Sequence, residues 1–183
     1  MITLVTGGSG CGKSTWAEKY IQKLGERKFY IATMQVVDEE CRARVARHRL
    51  QREGLGFETL EMATDIGSAK IEPGSAALVE CLPTLMANEM FGGDPERVLP
   101  GLERLMDTCG HVVVVTNDVF SDGMSYDPET TAYMKKLAQV NRAVAERADL
   151  VVEVVFSIPV VLKGALKIRP AVFQCEGGSS ARA

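Results

Sequence analysis

The sequence lacks any long apolar run, and this absence bears on where the protein resides. None of its apolar stretches approaches the roughly 20 residues that a membrane-spanning helix needs. Met1 leads directly into a short apolar run and glycines, with no basic segment ahead of a signal-like apolar one. We therefore expect a cytoplasmic protein without a membrane span.

Cysteine and histidine are scarce. The five cysteines are an odd number and include no C-x-x-C pair, which argues against a disulfide framework and against a zinc site. We expect these cysteines to be reduced and to serve mostly as packing residues. Only two histidines occur, so any chemistry that needs an imidazole must use one of them.

The sequence also lacks an excess of positive charge. It contains 21 lysines and arginines against 24 aspartates and glutamates, for a net charge of -3. This balance does not provide the broad basic field that sequence-independent nucleic-acid binding requires. We therefore expect no nucleic-acid partner.

The length and hydrophobicity suit one domain. The chain has 183 residues, of which 46% are hydrophobic, enough for one good core but too few for two. We expect one nucleotide-binding domain over residues 1–164. A C-terminal extension follows over 165–183, and its last residues, 177–183, have no apolar anchor and are expected to be a mobile tail.

Short β-rich apolar runs alternate with longer stretches of helical period. This order is typical of an α/β domain, a mostly parallel sheet with helices on both faces. The pattern predicts helices over 13–24, 38–53, 95–109 and 129–148. It predicts strands over 2–6, 29–33, 57–61, 76–82, 112–116, 150–155 and 160–163, with 57–61 at an edge of the sheet.

A glycine-rich motif lies between the first predicted strand and the first predicted helix. It fits G-x-x-x-x-G-K-[ST], the P-loop pattern. Its backbone N–H groups converge on phosphate oxygens, its lysine reaches the β- and γ-phosphates, and its serine can bind Mg²⁺. The alternative is a glycine-rich turn that binds nothing. The candidate phosphate-binding residues are Gly7, Gly8, Ser9, Gly10, Cys11, Gly12, Lys13 and Ser14.

A P-loop site also needs an acidic residue near the metal. Glu80 is the best candidate, because it stands near the end of the apolar run 76–82. A carboxylate in such a run is costly to bury unpaired, so we expect Glu80 at the carboxyl end of its strand, facing the site together with Ser14. The alternative is a solvated glutamate on an edge strand.

The two histidines lie in different surroundings. His111 directly precedes a run of four valines and is expected to begin a strand without a chemical role. His48 lies among arginines, and on a helix it shares a face with Arg44 and Arg52. This face would suit a polyanion, and like-charge crowding favours the neutral imidazole that can act as a nucleophile. A solvated basic helix face that happens to contain a histidine is an equally good explanation from these residues alone.

Several short segments follow the P-loop in order along the chain. They are Tyr30-Ile31-Ala32-Thr33, Asp38-Glu39, Arg44-Val45-Ala46-Arg47-His48-Arg49, Val79-Glu80-Cys81-Leu82, Val115-Thr116-Asn117-Asp118-Val119, Asn141, Ala148-Asp149 and Ile158-Pro159. Together with the P-loop, this ordered series resembles the bifunctional adenosylcobinamide kinase / adenosylcobinamide-phosphate guanylyltransferase family of cobalamin biosynthesis. The resemblance runs from about residue 2 to residue 164.

The resemblance implies a RecA-like P-loop fold, commonly a homotrimer, that performs two reactions. A nucleoside triphosphate, ATP or GTP, first phosphorylates the aminopropanol hydroxyl of adenosylcobinamide. GTP then guanylylates an enzyme histidine, and the GMP passes to the new phosphate to give adenosylcobinamide-GDP. His48 matches the guanylylated histidine, Lys13 is implied to be catalytic, and Mg²⁺ is the implied cofactor.

Two other interpretations stay open at this point. A simple P-loop small-molecule kinase would use His48 and its arginines only to clamp phosphates, without a covalent intermediate. A non-catalytic nucleotide-binding switch would bind nucleotide with negligible turnover.

Overall fold

The computed structural model of the protein describes residues 1–25, 27–35, 39, 42, 45, 46, 50, 52–119 and 123–166. The strands are β1 (Ile2–Thr6), β2 (Lys28–Ala32), β3 (Phe57–Glu61), β4 (Ala76–Glu80), β5 (His111–Val115), β6 (Leu150–Val155) and β7 (Ile158–Lys163). The helices among these residues are α1 (Lys13–Ile21), α2 (Leu82–Gly92), α3 (Val98–Thr108) and α4 (Pro128–Arg147), with short 3₁₀ turns at Ile66–Ser68 and Pro95–Arg97. The described positions from 39 to 52 have helical backbone, as the sequence predicts for that segment.

The strands form one sheet in the order β3-β2-β4-β5-β1-β6-β7. Every neighbouring pair is parallel except β6 and β7, which are antiparallel. The predicted mostly parallel sheet is therefore confirmed, and β3 lies at an edge as expected. Since β1 lies between β5 and β6, the glycine-rich loop leaves the sheet near its centre, where the carboxyl ends of several parallel strands meet.

The sheet buries an apolar layer on each face. One layer contains Trp16 and Tyr20 of α1 packed over Val5 and Val113. The other layer contains apolar residues of α2, α3 and α4 packed over the alternate positions of the same strands, such as Leu4. Because both faces are covered, the central strands are nearly continuous apolar runs.

One helix is absent from the sequence-based prediction. Helix α2 begins two residues after β4 ends, where the sequence predicts a strand that continues to residue 82. Leu82, Leu85 and Met86 are fully buried, but the outer side of the helix also carries an apolar residue, Phe91, which is 61% exposed. The sequence therefore lacks a clear amphipathic pattern that would reveal a helical period. The predicted helix over 95–109 is also shorter, since a 3₁₀ turn precedes α3.

The two terminal strands form a hairpin with a tighter turn than the sequence suggests. We expect Ser157-Ile158-Pro159 to separate them, but Phe156 and Ser157 alone make the turn, with φ of 49° and 65°. Pro159 is part of β7 and lies opposite Val154. It is tolerated there because an edge strand has one side that needs no N–H donor. The predicted tail at 177–183 lies outside the described residues.

Two further observations concern the whole described part of the chain. Among its helices, none is both long and apolar enough to cross a bilayer. Its three cysteines, Cys11, Cys81 and Cys109, are free thiols.

Candidate active site

The glycine-rich loop connects β1 to the first residue of α1 at the carboxyl edge of the sheet. Helix α1 begins at Lys13, and Gly12 precedes it as N-cap with no side chain to satisfy the first helical N–H groups. Those N–H groups are therefore available to an anion, and the helix dipole adds positive potential at the same point. The loop has the local geometry that its motif predicts.

The close approach of the β6–β7 hairpin explains two of the glycines. Gly7 has φ of 147° and Gly12 has φ of 91°, values that disfavour any side chain. A Cβ at Gly7 would lie 2.5 Å from the carbonyl oxygen of Val154, and one at Gly12 would lie 2.5 Å from Ser157 Oγ. The Ser157 N–H also donates to the Cys11 carbonyl oxygen at 2.8 Å. The hairpin thus holds the loop in place from one side.

Lys13 and Ser14 are both engaged within the site. The Lys13 side chain is 8% exposed, and its Nζ donates to the Gly8 carbonyl oxygen at 3.0 Å. Ser14 Oγ donates to Glu80 Oε1 at 2.5 Å. Ser14 follows β1 in the chain and Glu80 ends β4, and β5 lies between these two strands. The contact therefore crosses one intervening strand. The structure therefore brings the predicted serine and the predicted acid together.

Glu80 is the last residue of β4, the carboxyl end at which we expected it. Strand β4 lies inside the sheet, so a solvated glutamate on an edge strand is not what the structure shows. Its Oε2 is buried and has no hydrogen-bond partner among the described residues. Burial raises the pKa of Glu80 to about 7, although the Ser14 hydroxyl and the nearby Lys13 and Arg52 cations oppose the rise. An unpartnered carboxylate oxygen beside a P-loop is suited to accept a cation or a proton.

We expect Glu80→Gln to stabilise the nucleotide-free protein at pH 8 but not at pH 5. The pKa of Glu80 is about 7 in the folded protein and 4.5 in the unfolded chain. The free energy of unfolding of the wild type therefore falls as the pH rises through this range, because the buried carboxyl must ionise. The loss is on the order of 3 kcal/mol in the free energy of unfolding. Glutamine stays neutral and avoids it.

Urea unfolding at both pH values, without nucleotide or divalent cation, measures this difference. Glu146→Gln is the matched control, since Glu146 is exposed on α4. An equal pH dependence in the two variants would contradict the assignment of the raised pKa to Glu80.

Thr33 is a site residue whose positioning role is visible only in the folded structure. It is fully buried just after β2, and its Oγ1 accepts a hydrogen bond from the Cys81 N–H at 2.8 Å. The same hydroxyl lies 2.9 Å from the Glu80 carbonyl oxygen, and the Asn88 side-chain amide donates to the Thr33 carbonyl oxygen at 2.8 Å. Thr33 therefore fixes the backbone that carries Glu80. In the sequence, Thr33 stands out only as the last residue of Tyr30-Ile31-Ala32-Thr33, one of the segments that carry the family resemblance.

Arg52 also contributes to the site, in an unexpected way. Its guanidinium carbon lies 3.5 Å from the centroid of the Tyr30 ring, and the residue is 7% exposed. Instead of lying on a solvated helix face, Arg52 makes a buried cation–π contact. It also borders a pocket of about 100 Å³ whose lining includes Val45, Thr33 and Glu80.

The other predicted residues of the basic helix face are not described. His48 and Arg44 lie outside the described residues, and so does Cys41. The described residues Val45 and Arg52 precede and follow position 48 in sequence, and both line the pocket next to Glu80. In the helix that the sequence predicts over 38–53, position 48 shares a face with each of them.

His111 lies at the opposite edge of the sheet from the glycine-rich loop. It is the first residue of β5, whereas the loop follows the last residue of the parallel strand β1. A five-residue strand is about 16 Å long, so His111 is remote from the phosphate-binding loop. Burial lowers its pKa, and its position agrees with the expectation that it begins a strand.

Comparison with known proteins gives consistent results along almost the whole chain. The sequence profile of the cobinamide kinase / cobinamide phosphate guanyltransferase family matches residues 3–162. The bifunctional adenosylcobalamin biosynthesis protein CobU of Salmonella typhimurium is 35% identical, with 89% of this chain and all of that protein covered. The CobU protein of Escherichia coli is 32% identical over the same shares. The CobP protein of Pseudomonas aeruginosa is 30% identical, with 90% and 98% covered.

Solved structures confirm the architecture. The flagellar accessory protein FlaH of Methanocaldococcus jannaschii has a TM-score of 0.51, with 89% of this chain and 78% of that one covered. Its sequence identity is only 11%, so this likeness concerns the fold alone. The family match, in contrast, spans the P-loop, Glu80 and nearly every described element. The chain belongs to the cobinamide kinase / cobinamide phosphate guanyltransferase family.

Proposed function

We propose that this chain phosphorylates the aminopropanol hydroxyl of adenosylcobinamide and then transfers GMP from GTP to the new phosphate, giving adenosylcobinamide-GDP. One observation carries the proposal: in a chain of this family, the phosphate-binding loop is closed onto an acidic residue through the contact of Ser14 Oγ with Glu80 Oε1. A phosphate-binding loop next to a carboxylate can hold a nucleoside triphosphate for phosphoryl transfer and for nucleotidyl transfer alike.

In the first reaction, the acceptor hydroxyl oxygen attacks the γ-phosphorus of ATP or GTP. A P–O bond forms, the bond to the leaving nucleoside diphosphate breaks, and the hydroxyl proton is released. Lys13 and the N–H groups at the start of α1 stabilise the negative charge that develops on the phosphate oxygens. The protein's contribution is to hold and polarise the triphosphate, so the acceptor alone supplies the nucleophile.

In the second reaction, the chain supplies its own nucleophile. A neutral imidazole nitrogen of His48 attacks the α-phosphorus of GTP, pyrophosphate leaves, and a phosphoramidate to GMP remains. The phosphate of adenosylcobinamide phosphate then attacks the same phosphorus and releases the histidine. Val45 and Arg52 line the pocket beside Glu80. This supports the role proposed for His48, because in the predicted helix position 48 shares a face with both of them.

The donor set of the site suits Mg²⁺. Ser14 Oγ and the two Glu80 carboxylate oxygens are oxygen donors, and Oε2 is left without a partner among the described residues. Magnesium prefers oxygen ligands and usually keeps water and phosphate ligands beside one or two protein groups. When bound, it neutralises charge on the transferring phosphates. The described residues include no cluster of three or more His, Cys, Asp or Glu side chains that could hold a metal.

Incubation of the intact protein with GTP and Mg²⁺, followed by mass spectrometry, tests the guanylyl transfer half. We expect a covalent GMP adduct that is stable in base and labile in acid, as a phosphoramidate is and a serine or threonine ester is not. A second incubation with ATP and adenosylcobinamide should yield adenosylcobinamide phosphate. Phosphorylation without any adduct would favour a simple small-molecule kinase, and nucleotide binding without either product would favour a non-catalytic switch.

A further inference from the structure

A second pocket lies at the carboxyl edge of the sheet, on the face covered by α4. It has a volume of about 360 Å³, and α4, β1, β6, β7 and the segment after β5 all contribute to its lining. None of the phosphate-binding residues 7–14 lines it. The pocket is therefore separate from the phosphate-binding loop.

Three buried oxygen atoms in the lining have no hydrogen-bond partner among the described residues. They are Thr116 Oγ1, Asn117 Oδ1 and Asn141 Oδ1. Thr116 is 2% exposed, so water does not reach its hydroxyl freely. Buried polar groups are nearly always paired in native proteins. Three such groups around one cavity indicate a ligand that pairs them.

The chemistry of these atoms defines the class of ligand. The two asparagine oxygens only accept hydrogen bonds, and the threonine hydroxyl accepts or donates. The pocket is also lined by two carboxylates, Asp118 and Glu153, against one guanidinium, Arg142. This balance disfavours a phosphate and favours a ligand that offers N–H and O–H donors.

The pocket adjoins the start of the phosphate-binding loop. Thr6, which lines the pocket, is the residue immediately before Gly7. The backbone N–H of Asp118, which also lines the pocket, donates to the Gly7 carbonyl oxygen at 3.4 Å. A ligand in this pocket would thus extend toward the triphosphate from the face of the sheet opposite α1.

We propose that this pocket binds the amide- and hydroxyl-bearing arm of the phosphoryl acceptor. Asn117 and Asn141 accept hydrogen bonds from its N–H and O–H groups, and Thr116 pairs with a third polar atom. The bulk of the acceptor stays outside, since the cavity has room only for the arm. The proposal rests on the proposed function, in which the arm is the aminopropanol amide of adenosylcobinamide.

The test measures binding of two corrinoids by equilibrium dialysis. One is adenosylcobinamide, and the other is cobyric acid, a corrinoid that lacks the aminopropanol arm. We expect Asn141→Leu to weaken adenosylcobinamide binding about ten-fold, the value of one lost hydrogen bond. Its affinity for cobyric acid and for ATP should equal that of the wild type. Gln139→Leu, at an exposed position of α4, is the matched control and should change neither.

Several outcomes would overturn the proposal. Unchanged adenosylcobinamide binding in Asn141→Leu would do so, and so would an equal loss for both corrinoids, which would place the ring rather than the arm near Asn141. If Asn141→Leu fails to bind ATP because it is misfolded, the near-isosteric Thr116→Val takes its place with the same expected result. Wild-type protein that neither binds nor phosphorylates adenosylcobinamide would refute the proposed function itself.

Discussion

Lys13→Ala is expected to lower the rates of phosphorylation and of guanylyl transfer together, each by about 10²–10³-fold, the usual effect of removing one donor to a developing phosphate charge. Lys13 is nearly buried, and its ammonium group is held inside the loop by the Gly8 carbonyl oxygen. It is the only cationic side chain of the motif over residues 7–14. Both reactions use a triphosphate in this loop, so both should depend on it.

Initial rates of the two reactions at saturating and at low nucleotide concentration measure the effect. Lys19→Ala is the matched control, because Lys19 lies on the same helix at an exposed position, and it should leave both rates unchanged. Full guanylyl transfer by Lys13→Ala at low GTP would place GTP in a second site and refute a shared loop.

His48→Asn is expected to abolish the covalent GMP adduct while phosphorylation of adenosylcobinamide continues. Asparagine cannot form a phosphoramidate, whereas the kinase reaction takes its nucleophile from the substrate. Arginines surround His48 in sequence, and they favour the neutral, nucleophilic imidazole and can stabilise the charge on the α-phosphate. Val45 and Arg52 line the pocket beside Glu80, and in the predicted helix position 48 shares a face with both of them.

Label from α-³²P GTP that stays on the denatured protein measures the adduct. Treatment with acid should remove this label, and treatment with base should not. His111→Asn is the matched control and should keep the adduct. His111 begins β5, so it lies at the amino ends of the parallel strands, whereas the phosphate-binding loop lies at their carboxyl ends. An acid-labile adduct that persists in His48→Asn and disappears in His111→Asn would reverse the assignment.

Some of the site was predictable because its residues are contiguous. The glycine-rich motif places its N–H groups, Lys13 and Ser14 by local geometry alone, since a strand, a tight loop and a helix start suffice to form it. Glu80 was predictable at the end of its strand, because an ionised group in an apolar run is tolerated where the strand leaves the core.

Helix α2 was not predictable from its period. Its apolar residues lie on the buried side and also on the outer side, where Phe91 is exposed, and such a sequence has no clear amphipathic signature. Thr33 was not predictable as a positioning residue either, since its partners at Glu80 and Cys81 are more than 45 residues away in sequence, as the separations of 47 and 48 show.

The fold class, the phosphate-binding loop and the resemblance to a family could be read from the sequence, because each depends on a local pattern or on an ordered series of short motifs. Three features came from the folded chain alone: Ser14 contacts Glu80 across an intervening strand, Arg52 lies on the Tyr30 ring, and Asn117 and Asn141 line one pocket. The first and the third follow from the strand order β4-β5-β1-β6. Parallel pairing brings the carboxyl ends of distant segments to one edge of the sheet, and no sequence spacing reports which strands become neighbours.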